Sequence, residues 1–246
     1  MKVDYPIISA DSHIAEAPNT YIDYIDPKWR HVAPHVVETD DKGDLYVIDG
    51  MKRTINMGLI AAAGQAAEDL NPKAKWDDLP RSGWDSNYRI ADQNRDGVSA
   101  EVIYPSVGMV LCNHPDLDYK KASMDAYNRW IADYCSVDSN RLLAIAQTPL
   151  RSVEEGIDDL MRMKNQGMRG VMMPGNPGTE FDYDDPQWDP FWQAAIDLQL
   201  PLSWHILTTR ESGRPRGPKA NSFMTIIRAN QDIMGTLVFG GVFERN

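Results

Sequence analysis

The sequence of 246 residues lacks the features that mark several large classes of protein. Its two cysteines, Cys112 and Cys135, form no Cys-x-x-Cys pair, so we expect neither a disulfide framework nor a structural zinc knot. No apolar run approaches the roughly 18 residues of a membrane span, and the start of the sequence has no apolar segment typical of a signal peptide. We therefore expect a cytoplasmic protein with no membrane partner.

Positive charge is also scarce. The sequence has 25 Lys and Arg against 36 Asp and Glu, which gives a formal net charge of −11. Nucleic acids and anionic membranes both attract clustered Lys and Arg, and no long basic run is found here. Nucleic acid is therefore not an expected partner. The 42% hydrophobic and 25% charged residues are typical of an ordinary globular protein.

The sequence alternates short apolar runs with amphipathic segments of helix length. The apolar runs predict five strands, at residues 7–10, 100–104, 142–147, 170–173 and 202–204. Between them, apolar residues recur at helical spacing, as in Met124, Tyr127, Ile131 and Tyr134. Ser152 and Glu155 form a plausible capping box for a further helix. Strands that alternate with helices in this way predict parallel βαβ units and an α/β fold.

Two α/β architectures fit this order, an open doubly wound sheet and a (β/α)₈ TIM barrel. No Gly-x-Gly-x-x-Gly motif follows the first strand, which removes the usual signature of an open sheet that binds a dinucleotide. Asp11 and His13 instead follow the first strand, and His205 follows the fifth. Barrel enzymes place their chemistry at such C-terminal strand ends. The barrel is preferred, and the open sheet is kept as an alternative.

Two regions depart from a regular barrel. Residues 27–85 belong to no βα unit, and they carry two apolar runs around an acidic turn at residues 40–44, which predicts an inserted hairpin that caps the barrel mouth. Only residues 206–246 follow the fifth strand, too few for three more βα units. We therefore expect residues 1–246 to form a single TIM-barrel domain that is incomplete, with its C-terminal strands missing.

Several polar residues are candidates for the site. Asp11 and His13 lie two apart on an extended segment, so their side chains point the same way and can converge on one divalent ion. His205 adds a third ligand if the barrel brings the first and fifth strand ends together. Glu16 contacts metal or substrate, or simply begins the next segment. Arg210 and Arg214 lie in a loop rich in Gly and Pro, where they either clamp a substrate carboxylate or remain solvated.

Several short segments match one family in chain order. They are ISADSH at residues 8–13 followed by Glu16, YID at 21–23, IDP at 25–27, DGV at 96–98, GV at 170–171 and GVFER at 241–245. Together they resemble the amidohydrolase-related family. This branch of the metal-dependent amidohydrolase superfamily includes aminocarboxymuconate-semialdehyde decarboxylase and the aromatic-acid decarboxylases.

The resemblance implies a (β/α)₈ barrel that holds one divalent metal ion, Zn or Mn, at its mouth. In this family an acidic residue or His, followed by x-His, binds the ion after the first strand, a His binds after the fifth and an Asp after the eighth. Asp11, His13 and His205 match the first three ligands. The family's catalytic His and late Asp would lie beyond Asn246, so no catalytic residue is assigned and the fragment alone is expected to be inactive. The resemblance also implies a homodimer.

Two reactions fit such a site. One is the non-oxidative decarboxylation of a small aromatic or unsaturated carboxylic acid, and the other is the metal-dependent hydrolysis of an amide, ester or lactone. The Asp11 carboxylate favours an oxygen-rich, manganese-like site. Within the resembled family the acidic first ligand occurs among aromatic-acid decarboxylases. We therefore expect a decarboxylase, with a hydrolase as the alternative and a non-catalytic barrel used for binding as a further one.

Overall fold

The computed structural model describes residues 5–209, 217–218 and 221–246. The chain divides into two compact units. The first unit comprises Met1–Val107 and Asp125–Ile145, and the second comprises Gly108–Met124 and Ala146–Asn246. Each unit contains parallel strands and helices, so the predicted α/β class is confirmed.

The strands are β1 (Ile8–His13), β2 (His35–Val37), β3 (Leu45–Val47), β4 (Ile55–Asn56), β5 (Ala100–Tyr104), β6 (Leu142–Gln147), β7 (Gly170–Met173) and β8 (Leu202–Trp204). The helices are α1 (Thr20–Tyr24), α2 (Met57–Ile60), α3 (Ser86–Asp96), α4 (Val107–Leu111), α5 (Leu117–Cys135), α6 (Val153–Asn165), α7 (Asp189–Asp197), α8 (Ser222–Phe239) and α9 (Val242–Arg245). Short 3-10 turns cover Pro27–Val32, Ala67–Asp69, Trp76–Asp78, Arg81–Gly83 and Pro186–Trp188. Four of the five predicted strands have the predicted bounds, whereas β1 continues to His13.

In the first unit, β1 pairs in parallel with β5, and β5 pairs in parallel with β6. Helix α3 precedes β5 and has a clear signal at each end. The Asp85 side chain accepts a hydrogen bond from the Asn87 backbone N–H, and Gly97 ends the helix in the left-handed conformation at φ +73°. These two signals fix where α3 begins and ends.

The insertion contains a small antiparallel sheet. β2 pairs with β3, and β3 pairs with β4, which confirms the predicted hairpin around the acidic turn. The Tyr46 side chain is fully buried, and its hydroxyl donates to the carbonyl of Ala17, beyond the end of β1. The buried Asp44 carboxylate accepts the Trp76 backbone N–H at 2.8 Å and faces Lys75 Nζ at 3.3 Å. That the insertion caps the barrel mouth stays a prediction.

In the second unit, β7 and β8 pair in parallel, with Val171 opposite Leu202 and Met173 opposite Trp204. Helix α6 begins as predicted, because the Ser152 hydroxyl accepts the Glu155 backbone N–H at 3.1 Å. The core of this unit contains a cluster of aromatic side chains. Ring centroids lie 5.2 to 6.5 Å apart in a cluster of Phe181, Tyr183, Trp188, Phe191, Trp192 and Trp204.

The structure also describes the length and apolar character of the helices and the state of the two cysteines. Among the helices of residues 5–209, 217–218 and 221–246, none combines the length and apolar character that a membrane-spanning helix requires. Cys112 and Cys135 are buried free thiols, and burial raises the pKa of each to about 12. Both therefore remain protonated near neutral pH.

Candidate metal centre

Asp11 and His13 lie within β1, at a place where the strand is irregular. Ser9 pairs with Glu101 and Ser12 with Ile103, so two residues of β1 face one residue of β5 in a β-bulge. A bulge bends a strand and redirects its side chains. Asp11 Oδ1 and His13 Nε2 lie 3.5 Å apart. The sequence prediction that the strand ends at Ala10 is therefore wrong, but the two side chains do converge.

The hydrogen bond of the His13 ring fixes which nitrogen faces Asp11. Nδ1 lies 3.1 Å from the carbonyl oxygen of Pro105, directly after β5. A carbonyl only accepts, so Nδ1 donates and Nε2 carries the lone pair in the neutral ring. Histidines that bind metals commonly donate their second nitrogen to a backbone carbonyl or a carboxylate. The neutral His13 ring thus has the tautomer that a metal ligand requires, and the Asp11 carboxylate lies beside the nitrogen that keeps its lone pair.

A largely buried ion pair supports this part of β1. Arg89 on α3 contacts both carboxylate oxygens of Glu101 on β5, at 2.6 and 3.2 Å, and donates to the backbone carbonyl of His13 at 3.2 Å. Gln93 and Ser12 also donate to Glu101. Burial acts to raise the pKa of Glu101, but the hydrogen bonds and charge of Arg89, together with Gln93 and Ser12, hold it below its ordinary value. Glu101 therefore stays ionised and links α3, β1 and β5.

Glu16 is fully buried beyond the end of β1. Its Oε1 accepts the backbone N–H groups of Ser106 and Val107 at 3.0 and 2.9 Å, and Oε2 accepts Val107 at 3.1 Å. Since α4 begins at Val107, the carboxylate satisfies backbone donors that a helix start leaves without partners. The structure thus gives Glu16 a supporting contact between the segment after β1 and α4. A contact of Glu16 with substrate or metal stays a prediction.

His205 belongs to the second unit and directly follows β8. The loop that carries it, residues 204–208, is held through its backbone carbonyls. Three contacts come from outside the loop: Asn230 Nδ2 donates to the carbonyl of residue 204, Asn113 Nδ2 to that of residue 207 and the Gly175 N–H to that of residue 208. Two lie within it: the Thr208 hydroxyl donates to the carbonyl of residue 205, and His205 Nδ1 to that of residue 206. All five distances are 2.8 to 3.0 Å. The His205 ring therefore has the same tautomer as His13, with the lone pair on Nε2. We call residues 204–208 the His205 loop.

Two predicted site residues are not described by the structure, and several supporting contacts were not predicted. Arg210 and Arg214, the predicted carboxylate clamp, lie outside the described residues. Sequence reasoning missed the β1 bulge, the Arg89–Glu101 pair and the contacts of Asn113, Gly175 and Asn230 with the His205 loop. An Arg and a Glu twelve residues apart carry no local pattern, and the loop's partners lie 26 to 94 positions away from their acceptors. Only the fold joins them.

Comparison with known proteins decides the family. A family model described as Amidohydrolase matches residues 26–240. The chain belongs to the amidohydrolase family. This family match begins after Asp11 and His13, so those two residues lie outside it.

Solved amidohydrolase structures show the same fold. An amidohydrolase from Mycobacterium avium subsp. paratuberculosis matches 99% of this chain and 70% of its own, with a TM-score of 0.73 and 18% identity. 5-Carboxyvanillate decarboxylase from Sphingomonas paucimobilis matches 98% of this chain and 64% of its own, with a TM-score of 0.58 and 15% identity. This chain therefore has the fold of these amidohydrolases, and the predicted fold class is confirmed.

A curated relative is similar over a shorter stretch. Gamma-resorcylate decarboxylase of Rhizobium sp. (strain MTP-10005) is 31% identical over 84 residues, which is 32% of this chain and 26% of that protein. The structure of 2,6-dihydroxybenzoate decarboxylase from Rhizobium matches 97% of this chain and 62% of its own, with a TM-score of 0.57 and 15% identity. For gamma-resorcylate decarboxylase, the matched stretch spans about a quarter of that protein's length.

Proposed function

We propose that this amidohydrolase is a metal-dependent decarboxylase of a small aromatic carboxylic acid, and that Asp11, His13 and His205 bind its divalent ion. The observation that carries the proposal is the Asp11–His13 pair, in which a carboxylate oxygen lies 3.5 Å from an imidazole nitrogen that carries a lone pair. A carboxylate beside imidazole is a donor set that divalent metals bind well. The same tautomer at His205 supports that residue as the third ligand.

The chain's own residues set the chemistry of the site. Asp11 adds negative charge and an oxygen donor, which favours a harder ion such as Mn²⁺ over a site made only of imidazoles. The Pro105 carbonyl and the His205 loop each orient one imidazole, so the ligands need little rearrangement on binding. When bound, the ion would hold and polarise oxygen substituents of the substrate. Arg210 or Arg214 is the proposed partner of the substrate carboxylate.

The decarboxylase is favoured over the hydrolase by the curated relative. Gamma-resorcylate decarboxylase shares 31% identity over the matched stretch, and the family resemblance implies that an acidic first ligand, as at Asp11, occurs among aromatic-acid decarboxylases. Hydrolysis of an amide, ester or lactone is the second candidate, because the family as a whole is described as Amidohydrolase. Both candidates use the same ion, so metal content is tested first.

The test is elemental analysis of the purified protein and of the Asp11→Ala and His205→Ala variants. We expect about one Mn or Zn per chain, lost in both variants and kept in His31→Ala, which removes an exposed histidine as the matched control. Because residues 1–246 alone are expected to be inactive, carbon dioxide release from 2,6-dihydroxybenzoate is then tested with protein that carries the expected catalytic His and late Asp. Hydrolysis of amides or lactones without carbon dioxide release would support the second candidate, and a folded protein without metal would contradict both.

Two further predictions remain open to experiment. Sedimentation measurements test the expected homodimer. Deletion of the hairpin β2–β3 tests whether residues 27–85 select the substrate, because a cap over the site should change substrate preference more than metal content.

A further inference from the structure

The His205 loop contains a residue in an unfavourable backbone conformation. Leu207 has φ +69°, the left-handed region that residues other than Gly, Asn and Asp seldom adopt. Such conformations persist where the surrounding structure enforces them, and they cluster at functional sites. Leu207 lies two residues after His205, so its conformation decides how the chain leaves the imidazole.

The contact that holds Leu207 comes from Asn113, far away in the sequence. Asn113 Nδ2 donates to the Leu207 carbonyl at 2.8 Å, and the Asn113 backbone N–H donates to Val110 at the end of α4. Asn113 Oδ1 is buried, and in the part of the chain that the structure describes it has no hydrogen-bond partner. The amide therefore acts here through its nitrogen, and the opposite orientation would place two oxygens against each other.

Neighbouring contacts connect the Asn113–Leu207 hydrogen bond to the position of His205. The Thr208 hydroxyl donates back to the His205 carbonyl at 2.8 Å, which closes the loop over residues 205–208. Thr208 is 1% exposed, and its carbonyl accepts the Gly175 N–H. Leu207 lies between these two fixed positions. A change of its backbone to the common right-handed or extended region would turn its carbonyl away and disturb the closure onto His205.

We propose that Asn113 is a positioning residue for the metal site: it holds Leu207 in the left-handed conformation and thereby fixes the His205 imidazole. The proposal deepens the proposed function and rests on it only where metal affinity is concerned. The backbone part, that Asn113 maintains the shape of the His205 loop, holds for the protein without metal. The two parts have separate readouts.

The first readout is hydrogen exchange of the metal-free protein, followed by mass spectrometry of peptides that cover residues 204–209. We expect Asn113→Ala and Asn113→Asp to exchange faster in these peptides, with exchange elsewhere unchanged, because both remove the donor. Asn140→Ala, an exposed asparagine, is the matched control and should leave the peptides as they are. Unchanged exchange in both Asn113 variants would overturn the proposal.

The second readout is the affinity for Mn²⁺ alone, measured by calorimetric titration. We expect Asn113→Ala to weaken binding about tenfold, the lower end for outer residues that orient a ligand. The effect should shrink to about twofold in the Leu207→Gly background, because glycine adopts a positive φ without strain and needs no clamp. Gln199→Gly relieves another positive φ, +52°, three residues before β8, and should rescue nothing.

The outcomes separate the two hypotheses. If Asn113→Ala lowers the Mn²⁺ affinity equally with Leu207 and with Leu207→Gly, Asn113 does not act through Leu207. If the unmodified protein binds no Mn²⁺ or Zn²⁺, the proposed function fails, while the exchange data still decide whether Asn113 holds the loop. Faster exchange with unchanged Mn²⁺ affinity would leave Asn113 as a support of the loop only and would overturn its role in positioning His205.

Discussion

The two proposed histidine ligands are held in different ways. His13 lies within a strand, beside a largely buried pair of opposite charges, Arg89 and Glu101, whose side chains are 14% and 12% exposed. His205 lies just beyond a strand, in a loop held by donors to its backbone carbonyls, which are amide, hydroxyl, imidazole and backbone N–H groups. The segment around His13 is supported by an ion pair, and the segment around His205 by hydrogen bonds to backbone carbonyls.

This difference predicts different weaknesses. A buried ion pair is costly to break from one side, because the remaining charge stays in a poorly solvated place. It also depends on pH, since a carboxylate takes part. The His205 loop is held through its backbone carbonyls and depends on shape instead, because its contacts require close approach of the chain. Substitutions that remove a charge should therefore damage the first unit most, and substitutions that add volume should damage the second.

The largest effect is expected from Arg89→Leu in the first unit. Loss of the guanidinium leaves Glu101 buried beside an apolar side chain, which should lower the free energy of unfolding by about 3–5 kcal/mol. Urea denaturation measures the loss. Arg95→Leu on the same helix is the control, because Arg95 is 64% exposed and pairs with Asp92 and Asp96 at the surface. Equal losses in the two variants would show that the buried pair has no special weight.

A smaller effect is expected from Gly175→Ala in the second unit. A Cβ at Gly175 would overlap Thr209, directly after the His205 loop, so the loop must shift at a cost of about 1–3 kcal/mol. The shift should also speed hydrogen exchange in peptides that cover residues 204–209.

Gly235→Ala in α8 is the control for that substitution. The nearest atom to its added Cβ is a ring carbon of Phe239 at 3.7 Å, an ordinary contact. Alanine at this helix position should raise the free energy of unfolding by up to about 1 kcal/mol. Stabilisation by both substitutions would mean that the close approach at Thr209 does not constrain the loop.

The smallest effect is a difference in pH dependence. The pKa of Glu101 lies below its ordinary 4.5 in the folded protein, so ionised Glu101 stabilises the fold above that value and loses this contribution as the pH falls through the lower folded pKa. The stability difference between the unmodified protein and Glu101→Gln should therefore narrow as the pH falls below the ordinary pKa of 4.5. The stability difference between the unmodified protein and Asn113→Ala should not narrow as the pH falls. A constant difference for Glu101→Gln would contradict the charge-based support of β1.

The sequence predicted best what depends on local pattern. The bounds of β5, β6, β7 and β8 follow from apolar runs that end at Pro or His, and the Ser152 cap follows from a motif within four residues. The prediction for β1 was wrong at its end, because polar residues from Asp11 onward suggested a loop while pairing with β5 keeps them in the strand. Strand pairing depends on a partner about ninety positions away.

The candidate site shows the same limit. Asp11, His13 and His205 are predicted ligands because their residue types and positions near strand ends indicate metal chemistry, and their joint role stays a proposal. Arg89 and Asn113 gave no such signal, since arginine on an amphipathic helix and asparagine in a turn are both ordinary. Their importance comes from contacts with carbonyl or carboxylate groups that only the folded chain brings near.

The carbonyl contacts of the His205 loop also bear on engineering. Because the backbone from residue 204 to residue 208 is held through groups that every amino acid possesses, its course does not depend on the side chain of Ile206, which is half-buried beside His205. Ile206 is therefore a natural position for a saturation library: the side chain next to the proposed ligand varies in size and polarity, while the scaffold that presents the imidazole keeps its shape.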